Sequence, residues 1–445
     1  MDQRDTGLRQ GRKVGDGTAP DSDGHEAPPS WSPTARRTDL RSVTLSPRTG
    51  SGRNSFTGPW RRAAVRAPMG QAGGMRIVVI GSGIAGAATA YQLARRGAEV
   101  VVVEAGREGA ATAAGAGIVC PWTSRKLGEA ELEFAARAAA YYRLLVEQLT
   151  EDGEEDTSFE IVGGMVVSAD EAELAETSLR VSARAVDWPQ AGVVRRLDPA
   201  EARTLFPPLA PGLGGVLVPG AARVDGRKLR TCFVRAAQRH GARMVRGQAA
   251  LSLSGGKVGG VLAGTELVEA DAVVVAAGAW SAELLAPLGI RIGVVAQRGQ
   301  ISHVGLPGTD TSAWPVVLPV SSHYLLAFGD SRVVAGATRE DGSGFDHRVT
   351  VAGQREVLDE ALKVAPGLAD GTLLETRIGF RPVSLDGRPL LGAVRGHPEV
   401  LVLSGFGPSG LTIGPYAASL TAALALGEQP GIDVSALRPD RFTRP

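Results

Sequence analysis

Cysteine is scarce in this chain of 445 residues, which has only Cys120 and Cys232. They stand in no C-x-x-C or metal-ligand spacing, which argues against a disulfide framework. The six histidines are scattered with no H-x-x-x-H pair, so no metal site is legible. No apolar run reaches the ~18 residues that a membrane-spanning helix needs. An excess of one charge is also missing, because the formal net charge is +1. That balance argues against a nucleic-acid binder or a polybasic membrane protein.

Residues 1–70 lack any periodic apolar face and are rich in Arg, Asp, Ser, Thr, Pro and Gly, so disorder is the default expectation. Arg36-Arg37 and Arg61-Arg62 suggest twin-arginine export, but no apolar h-region follows either pair. Two readings stay open: a start assigned too early, with Met69 or Met75 as the true one, or a functional tail. With no export signal and no spanning helix, the expected location is the cytoplasm.

What is present is concentrated in Met75–Glu104. Arg76–Ile80 is a short apolar run fit for a buried parallel strand. It leads into Gly81-Ser82-Gly83-Ile84-Ala85-Gly86, the G-x-G-x-x-G spacing, and then into a helix predicted over 84–96 that stops at Gly97. A second apolar strand over Glu99–Val103 ends on Glu104. Gly81 permits a tight turn, Gly83 lets a pyrophosphate approach the backbone, and Gly86 lets helix pack on strand. The free N–H groups of the helix start face the phosphates. Glu104 falls about 20 residues after the last glycine, where an acid hydrogen-bonds a ribose diol. The joint pattern points to dinucleotide binding.

The length favours two domains. A small-residue loop, Gly109–Ile118, allows close approach of a backbone or a flat ligand, or is simply flexible. A long helix is predicted over Glu129–Leu149, with Phe134, Tyr141, Leu145 and Leu149 along one side. After the acidic break Asp152–Asp156, a β-like Phe159–Ser168 and a following helix read as a separate α+β region. Arg227–His240 is an amphipathic helix whose apolar face includes Cys232, and Arg243–Arg246 and Asp271–Gly278 are further strands. Gln297–Glu375 is strand-rich, with Gln300–Val304, Tyr324–Phe328 and Arg332–Ala337 as strands and a helix at Gly353–Val364. The strand Val400–Ser404 runs into Gly405–Thr412, which opens a last helix and is either a second anion or carbonyl site or an ordinary turn.

These motifs together resemble the FAD-dependent D-amino-acid oxidase superfamily, which includes glycine oxidases, D-amino-acid dehydrogenases and sarcosine oxidase-like enzymes. The resemblance covers about residues 75–442. It rests on GSGIAG with Glu104, TAAGAGI, VDGRKL at 224–229, VVVAAGAW at 273–280, QRGQ at 297–300, HYL at 323–325, GAT at 336–338, IGFRPVSLDGRPLLG at 378–392 and LSGFGPSGLTIGP at 403–415. It implies an α/β fold with a Rossmann-like FAD domain built from 75–150, 220–292 and 376–442. A substrate domain with a mainly antiparallel sheet would come from 155–219 and 293–375.

Residue by residue, the resemblance assigns Gly81, Ser82, Gly83, Ile84, Ala85 and Gly86, with Glu104 and Ala105, to the pyrophosphate and adenosine ribose of FAD. Thr112, Ala113, Gly117 and Ile118 would line the pyrophosphate and isoalloxazine. Ala277, Gly278 and Gly379 would pass close to the cofactor. Gly407, Pro408, Ser409, Gly410, Leu411 and Thr412 would meet the flavin pyrimidine carbonyls. Arg381 would pair with a substrate carboxylate, since a guanidinium fork matches it bidentately; the competing reading is an ion pair with an internal acid. Tyr324 is either a substrate contact or a core aromatic.

The sequence departs from its relatives at several positions. Gly379 stands where sarcosine oxidase-like members carry a flavin-tethering cysteine, and no histidine lies between residues 75 and 120, so FAD is expected to be non-covalent. Phe406 stands where many members have His, and Ala327 where a Pro often follows. Cys120, just after the loop, either faces the flavin ring or is a buried thiol, the latter being the expectation. The implied reaction is oxidation of a CH–N bond of a small amino acid, glycine, a D-amino acid or an N-alkyl amino acid, by hydride transfer to flavin N5. An electron-acceptor partner is compatible with it. A non-catalytic FAD subunit and a flavoenzyme with a different substrate remain alternatives.

Overall fold

A computed structural model describes residues 74–321 and 323–442; the expectations for residues 1–70 lie outside them. The first layer is a six-stranded sheet in the order Leu390–Val394, His397–Ser404, Ala272–Val275, Arg76–Ile80, Glu99–Glu104, Arg243–Arg246. All its pairings are parallel except that of Leu390–Val394 with His397–Ser404. Strands buried on both faces explain why the sequence shows continuous apolar runs rather than alternation. Ile77, Val79, Val100 and Val274 enter one core with Tyr91, Leu93, Phe233 and Ala418 from the helices Ile84–Arg95, Gly226–Arg239 and Gly410–Ala425. Their neighbours Val78, Ile80, Val101 and Val275 enter a second core with Val258, Val261 and Val268. Those three belong to an antiparallel meander, Ala249–Ser254, Lys257–Ala263 and Glu266–Glu269, which the sequence analysis leaves unassigned.

The helix predicted to end at Leu149 runs over Glu129–Glu151. Leu145 and Leu149 are buried as expected, but Tyr142 and four alanines share that face. Phe134 and Tyr141 instead flank Tyr416, at ring distances of 5.5 and 5.6 Å. Small alanines bring the helix close to Gly410–Ala425, leaving the larger rings at the edge of the contact.

The second layer is an eight-stranded sheet in the order Thr372–Ser384, Val294–Gly305, Arg332–Gly336, Tyr324–Phe328, Val316–Pro319, Gly164–Ser168, Gly214–Val218, Arg195–Leu197. Its one parallel pair joins Val316–Pro319 to Gly164–Ser168. The strand predicted over Gln300–Val304 is longer, Val294–Gly305, because its first half also pairs residue by residue with Thr372–Ser384. The domain boundary expected at 376 falls inside this last strand, which stays in the eight-stranded sheet to Ser384. A small sheet of Ile118–Val119, Ala222–Arg223 and Glu160–Ile161 lies between these segments in the chain.

At the far end of Val294–Gly305, His303 is buried, and its Nδ1 lies 2.9 Å from Arg332. Burial, with the charges of Arg377 and Arg332, lowers its pKa to about 4. A neutral imidazole therefore accepts from Arg332. Between the ordinary value of 6.5 and about 4, the unfolded chain binds a proton that the folded one refuses. Stability should therefore fall as pH drops through that window, by up to about 3 kcal/mol. Denaturant titrations of His303→Gln should show a flatter dependence between those pH values than the parent.

Candidate active site

The turn after Arg76–Ile80 is built from close backbone contacts. Gly81 adopts φ +95°, and a Cβ there would lie 2.6 Å from the Ala276 carbonyl oxygen, where the adjacent strand ends. A Cβ on Gly86 would lie 1.9 Å from the Gly81 carbonyl oxygen. The third glycine therefore lets the helix start sit directly on the turn. Gly83 is different: the nearest group to a Cβ there is the Thr112 hydroxyl at 3.4 Å, so its open side faces the cavity. The Thr112 hydroxyl accepts from the Ile84 N–H at 2.8 Å and caps a helix whose own N-cap residue, Gly83, has no side chain.

Glu104 ends its strand beside this turn. One carboxylate oxygen accepts from the Ser82 N–H and hydroxyl, both at 2.6 Å, and the other from the Gly106 N–H at 2.7 Å. Burial opposes the charge, yet these bonds and the Arg230 guanidinium hold the carboxyl below its ordinary value. Arg230 also donates to the Ser82 carbonyl and hydroxyl, each at 2.5 Å. Ser82 thus turns away from the cavity and fixes Glu104. Arg230 is a support that the sequence analysis missed; its only signal is its place in the helix after VDGRKL. Asp225 caps that helix by accepting from Arg227 and Lys228 N–H groups at 2.9 and 3.2 Å.

One cavity runs from this turn to the eight-stranded sheet. Gly81, Gly83, Ile84, Ala85, Glu104, Ala105, Thr112, Gly117, Ile118, Ala277, Gly278, Gly379, Gly407, Pro408, Gly410, Leu411 and Thr412 line it, together with Tyr324 and Arg381. Ser82, Gly86, Ala113 and Ser409 are not among its lining residues. Gly86 is held under the turn, and the Ala113 carbonyl accepts from Arg227 at 2.9 Å. At Gly379 a Cβ would lie 2.9 Å from the Ala114 Cβ, so glycine lets this strand close on the small-residue loop. The turn Gly407–Ser409 feeds the helix Gly410–Ala425, which has no side-chain cap. Thr412 donates to the Ile118 carbonyl at 2.8 Å, and the Leu411 carbonyl accepts from Tyr142. Tyr142, stacked on Phe159 at 4.7 Å, is a second missed support.

Trp280 and Phe406 also line the cavity, whereas Ala327 is buried in the sheet and its carbonyl accepts from Arg223 at 2.5 Å. Cys120 is buried away from the cavity, and burial pushes its thiol up to about 11. Among the described residues, neither a cysteine nor a histidine lines the cavity.

At the sheet end, Arg381 lies over Gly299. A Cβ on Gly299 would come within 2.5 Å of the guanidinium carbon and both terminal nitrogens. Arg381 donates to the Thr338 carbonyl at 2.9 Å and interacts with the Tyr324 hydroxyl. Tyr324 in turn rests on Gly336, where a Cβ would lie 2.6 Å from its hydroxyl. Burial lowers the Arg381 pKa and raises that of Tyr324. Among the described residues no carboxylate ion-pairs with Arg381. Gly299→Ala should push the guanidinium aside while leaving the fold intact, because the clash is with the end of a side chain. We expect a fall in kcat/KM of roughly a hundredfold, the order expected for misplacing a positioning group by ~1 Å. Flavin content and Tm, measured alongside, should stay near the parent values.

A glycine-rich strand–turn–helix and a second, mainly antiparallel sheet facing one cavity define the two-domain class of flavin-dependent oxidoreductases. The chain belongs to the DAO family of FAD-dependent oxidoreductases, whose family model matches residues 76–424. It is an FAD-dependent enzyme of the amino-acid oxidase and dehydrogenase group. Iminodiacetate oxidase from Chelativorans sp. BNC1 is 47% identical with a TM-score of 0.80, the match covering 82% of this chain and 99% of that one. An uncharacterized oxidoreductase of Bacillus subtilis is 44% identical over 81% of this chain and 98% of its own length. Glycine oxidase from Geobacillus kaustophilus is 26% identical with a TM-score of 0.73, covering 83% of this chain and all of that one. No described helix is long and apolar enough to cross a membrane.

Proposed function

We propose that this enzyme oxidises the Cα–N bond of a small amino acid, glycine or an N-alkyl or D-amino acid, whose carboxylate is held by Arg381. The observation that carries this is a largely buried guanidinium, seated on Gly299, whose partners among the described residues are a carbonyl and a phenol. A buried cation without a counter-charge favours an anionic ligand strongly. The similarity to iminodiacetate oxidase and glycine oxidases supports the same class.

The cradle fits FAD: Gly83 is open where a pyrophosphate would lie, Glu104 stands by a ribose position, and the uncapped helix start at Gly410 offers N–H donors. When bound, FAD supplies the two-electron acceptor for the Cα–H. With neither cysteine nor histidine along the cavity among the described residues, we take it to be held without a covalent bond. Arg381 orients the carboxylate, which fixes the direction of the Cα–H, and Tyr324 steadies the guanidinium. The positive charge at this end disfavours a substrate ammonium, so the amine binds with its lone pair free. No protein base is needed; the substrate loses its Cα hydrogen with two electrons and a proton from nitrogen. Water then converts the imine to an oxo acid and ammonia, or an amine where the substrate is N-alkylated. Two unpaired cysteines suit a reducing compartment, and we place the activity in the cytoplasm.

The test is anaerobic mixing of the purified holoenzyme with glycine, N-methylglycine, iminodiacetate and pairs of D- and L-amino acids. Bleaching of the flavin by one class supports the proposal. A flavin that stays oxidised with all of them overturns it in favour of a non-amino-acid substrate or a binding role. Readmitting O₂ or a quinone afterwards identifies the electron acceptor.

A further inference from the structure

Arg381 donates to the Thr338 carbonyl at 2.9 Å, and that carbonyl is itself fixed from behind. Residues 338–340 pair with Val294–Gly305. The Thr338 N–H donates to the Gln300 carbonyl at 3.2 Å, and Arg298 and Glu340 exchange backbone bonds at 3.1 and 2.9 Å. Side chains along such a segment alternate, so Thr338 and Glu340 share one face and Arg339 takes the other. Arg339 lines the cavity, whereas Thr338 and Glu340 do not.

On the face turned from the cavity, the Glu340 carboxylate gathers four donors. Its Oε1 accepts from the Thr338 hydroxyl at 2.6 Å and the Gln300 amide at 2.7 Å. Its Oε2 accepts from Arg298 Nε and Nη2 at 3.1 and 2.6 Å. The Thr338 hydroxyl in turn accepts from the Gln300 N–H at 2.9 Å. With its N–H, hydroxyl and carbonyl all engaged, Thr338 has little freedom to turn, and its carbonyl stays aimed at Arg381. Thr338, Gln300 and Arg298 are all buried. Burial opposes the charge of Glu340, yet the bonds from Thr338, Gln300 and Arg298 hold its carboxyl below the ordinary value. Four donors around one group call for a pure acceptor, a carboxylate rather than an amide. Burial also disfavours the charged guanidinium of Arg381, and the Glu340 charge, acting across the strand, offsets part of that.

We propose that Glu340 is a positioning residue for the oxidation. Through Thr338 it sets where the Arg381 fork stands, and so the direction of the carboxylate that the fork holds. This role rests on the oxidation proposed above for its kinetic readout, but its binding readout needs no turnover. Glu340 is a more selective probe than Arg298 or Gln300, which also hold other segments. Arg298 Nη1 binds the Asp346 carbonyl and carboxylate, each at 3.0 Å. Gln300 donates at 2.8 Å to Thr350, the cap of the helix Val351–Val364.

The test is a double-mutant cycle in the holoenzyme with two readings. One is flavin reduction by the amino acid of the panel above that bleaches it fastest. The other is binding of butyrate, a non-reacting carboxylate, followed in the flavin spectrum. Glu340→Gln keeps the shape but turns an amide N–H₂ toward two donors. It should lower kcat/KM and weaken butyrate about tenfold each, the order of one lost charge-assisted bond. In the Arg381→Ala background the same substitution should change either reading less than about twofold, because its effect passes through Arg381. A merely structural disturbance would lower both backgrounds alike. Glu340→Asp, which keeps the charge, should recover part of the loss. Equal losses with and without Arg381, or parent-like behaviour of Glu340→Gln, overturn the role. If Glu340→Gln fails to hold FAD, Thr338→Val and Thr338→Ser decide by the same cycle, and only the Val variant, which lacks the hydroxyl, should couple to Arg381. Coupled butyrate binding with no bleaching by any amino acid would sink the oxidation and keep the positioning role. Bleaching that needs Arg381 but not Glu340 would do the reverse.

Discussion

Arg381→Ala should yield a yellow protein whose flavin is reduced by its amino-acid substrate at least about a hundredfold more slowly than the parent's. Truncating one partner of a buried, hydrogen-bonded charge pair typically costs about 3 kcal/mol, close to a hundredfold. FAD retention is expected because Arg381 belongs to the eight-stranded sheet and lies apart from the glycine turn that forms the other end of the cavity. Arg381→Lys should recover little, since one ammonium cannot reproduce the fork that reaches Thr338, Tyr324 and a ligand together. Stopped-flow reduction at saturating and limiting substrate separates the two contributions. A loss confined to KM would mean uniform binding, and a loss in the limiting rate would mean that Arg381 sets the direction of the Cα–H. Unchanged kinetics in Arg381→Ala would remove the carboxylate anchor from the mechanism.

The second large effect concerns the glycine turn, where two similar substitutions should fail differently. Gly86→Ala places a carbon 1.9 Å from the Gly81 carbonyl oxygen and 3.2 Å from the Ala276 Cβ, so the turn must move. Overpacking of this kind costs about 1–3 kcal/mol, so Tm should fall and the protein should purify with little flavin. Gly83→Ala meets only the Thr112 hydroxyl at 3.4 Å, so its Tm without cofactor should match the parent. Its FAD affinity should still drop by tenfold or more, because the new methyl stands where the pyrophosphate approaches the backbone. Apoprotein titration with FAD and thermal melts of both forms provide the comparison. Gly259→Ala, in the meander with its nearest neighbour at 3.6 Å, serves as the near-neutral control. A Gly83→Ala protein that binds FAD as well as the parent would place the pyrophosphate elsewhere.

Much of the cofactor half could be read locally. The strand, the three glycines, the helix and Glu104 form one continuous stretch, and their roles follow from turn geometry and helix-end chemistry. The later segments were legible as strands and helices because two-sided burial writes continuous apolar runs. The meander at 249–269 was not, since its short strands are half exposed and glycine-interrupted. Ser82 was assigned to the cofactor from its place in the motif, yet its side chain belongs to Glu104 and Arg230. No spacing rule announces that, because Arg230 is 148 residues away in sequence.

The sequence by itself therefore determined the class: an α/β chain with a dinucleotide turn, and an arginine in a Gly-x-Arg-Pro strand. Those features depend on residues within a few positions of one another, where backbone sterics and hydrogen-bond geometry act. Only the tertiary structure decided what surrounds that arginine. It seated Arg381 on Gly299, turned Glu340 to the outer face, and brought Arg339 to the cavity. The physical reason is that a counter-charge can come from any strand that pairs alongside. Which carboxylates are present or missing around a buried cation is a property of register, not of sequence distance.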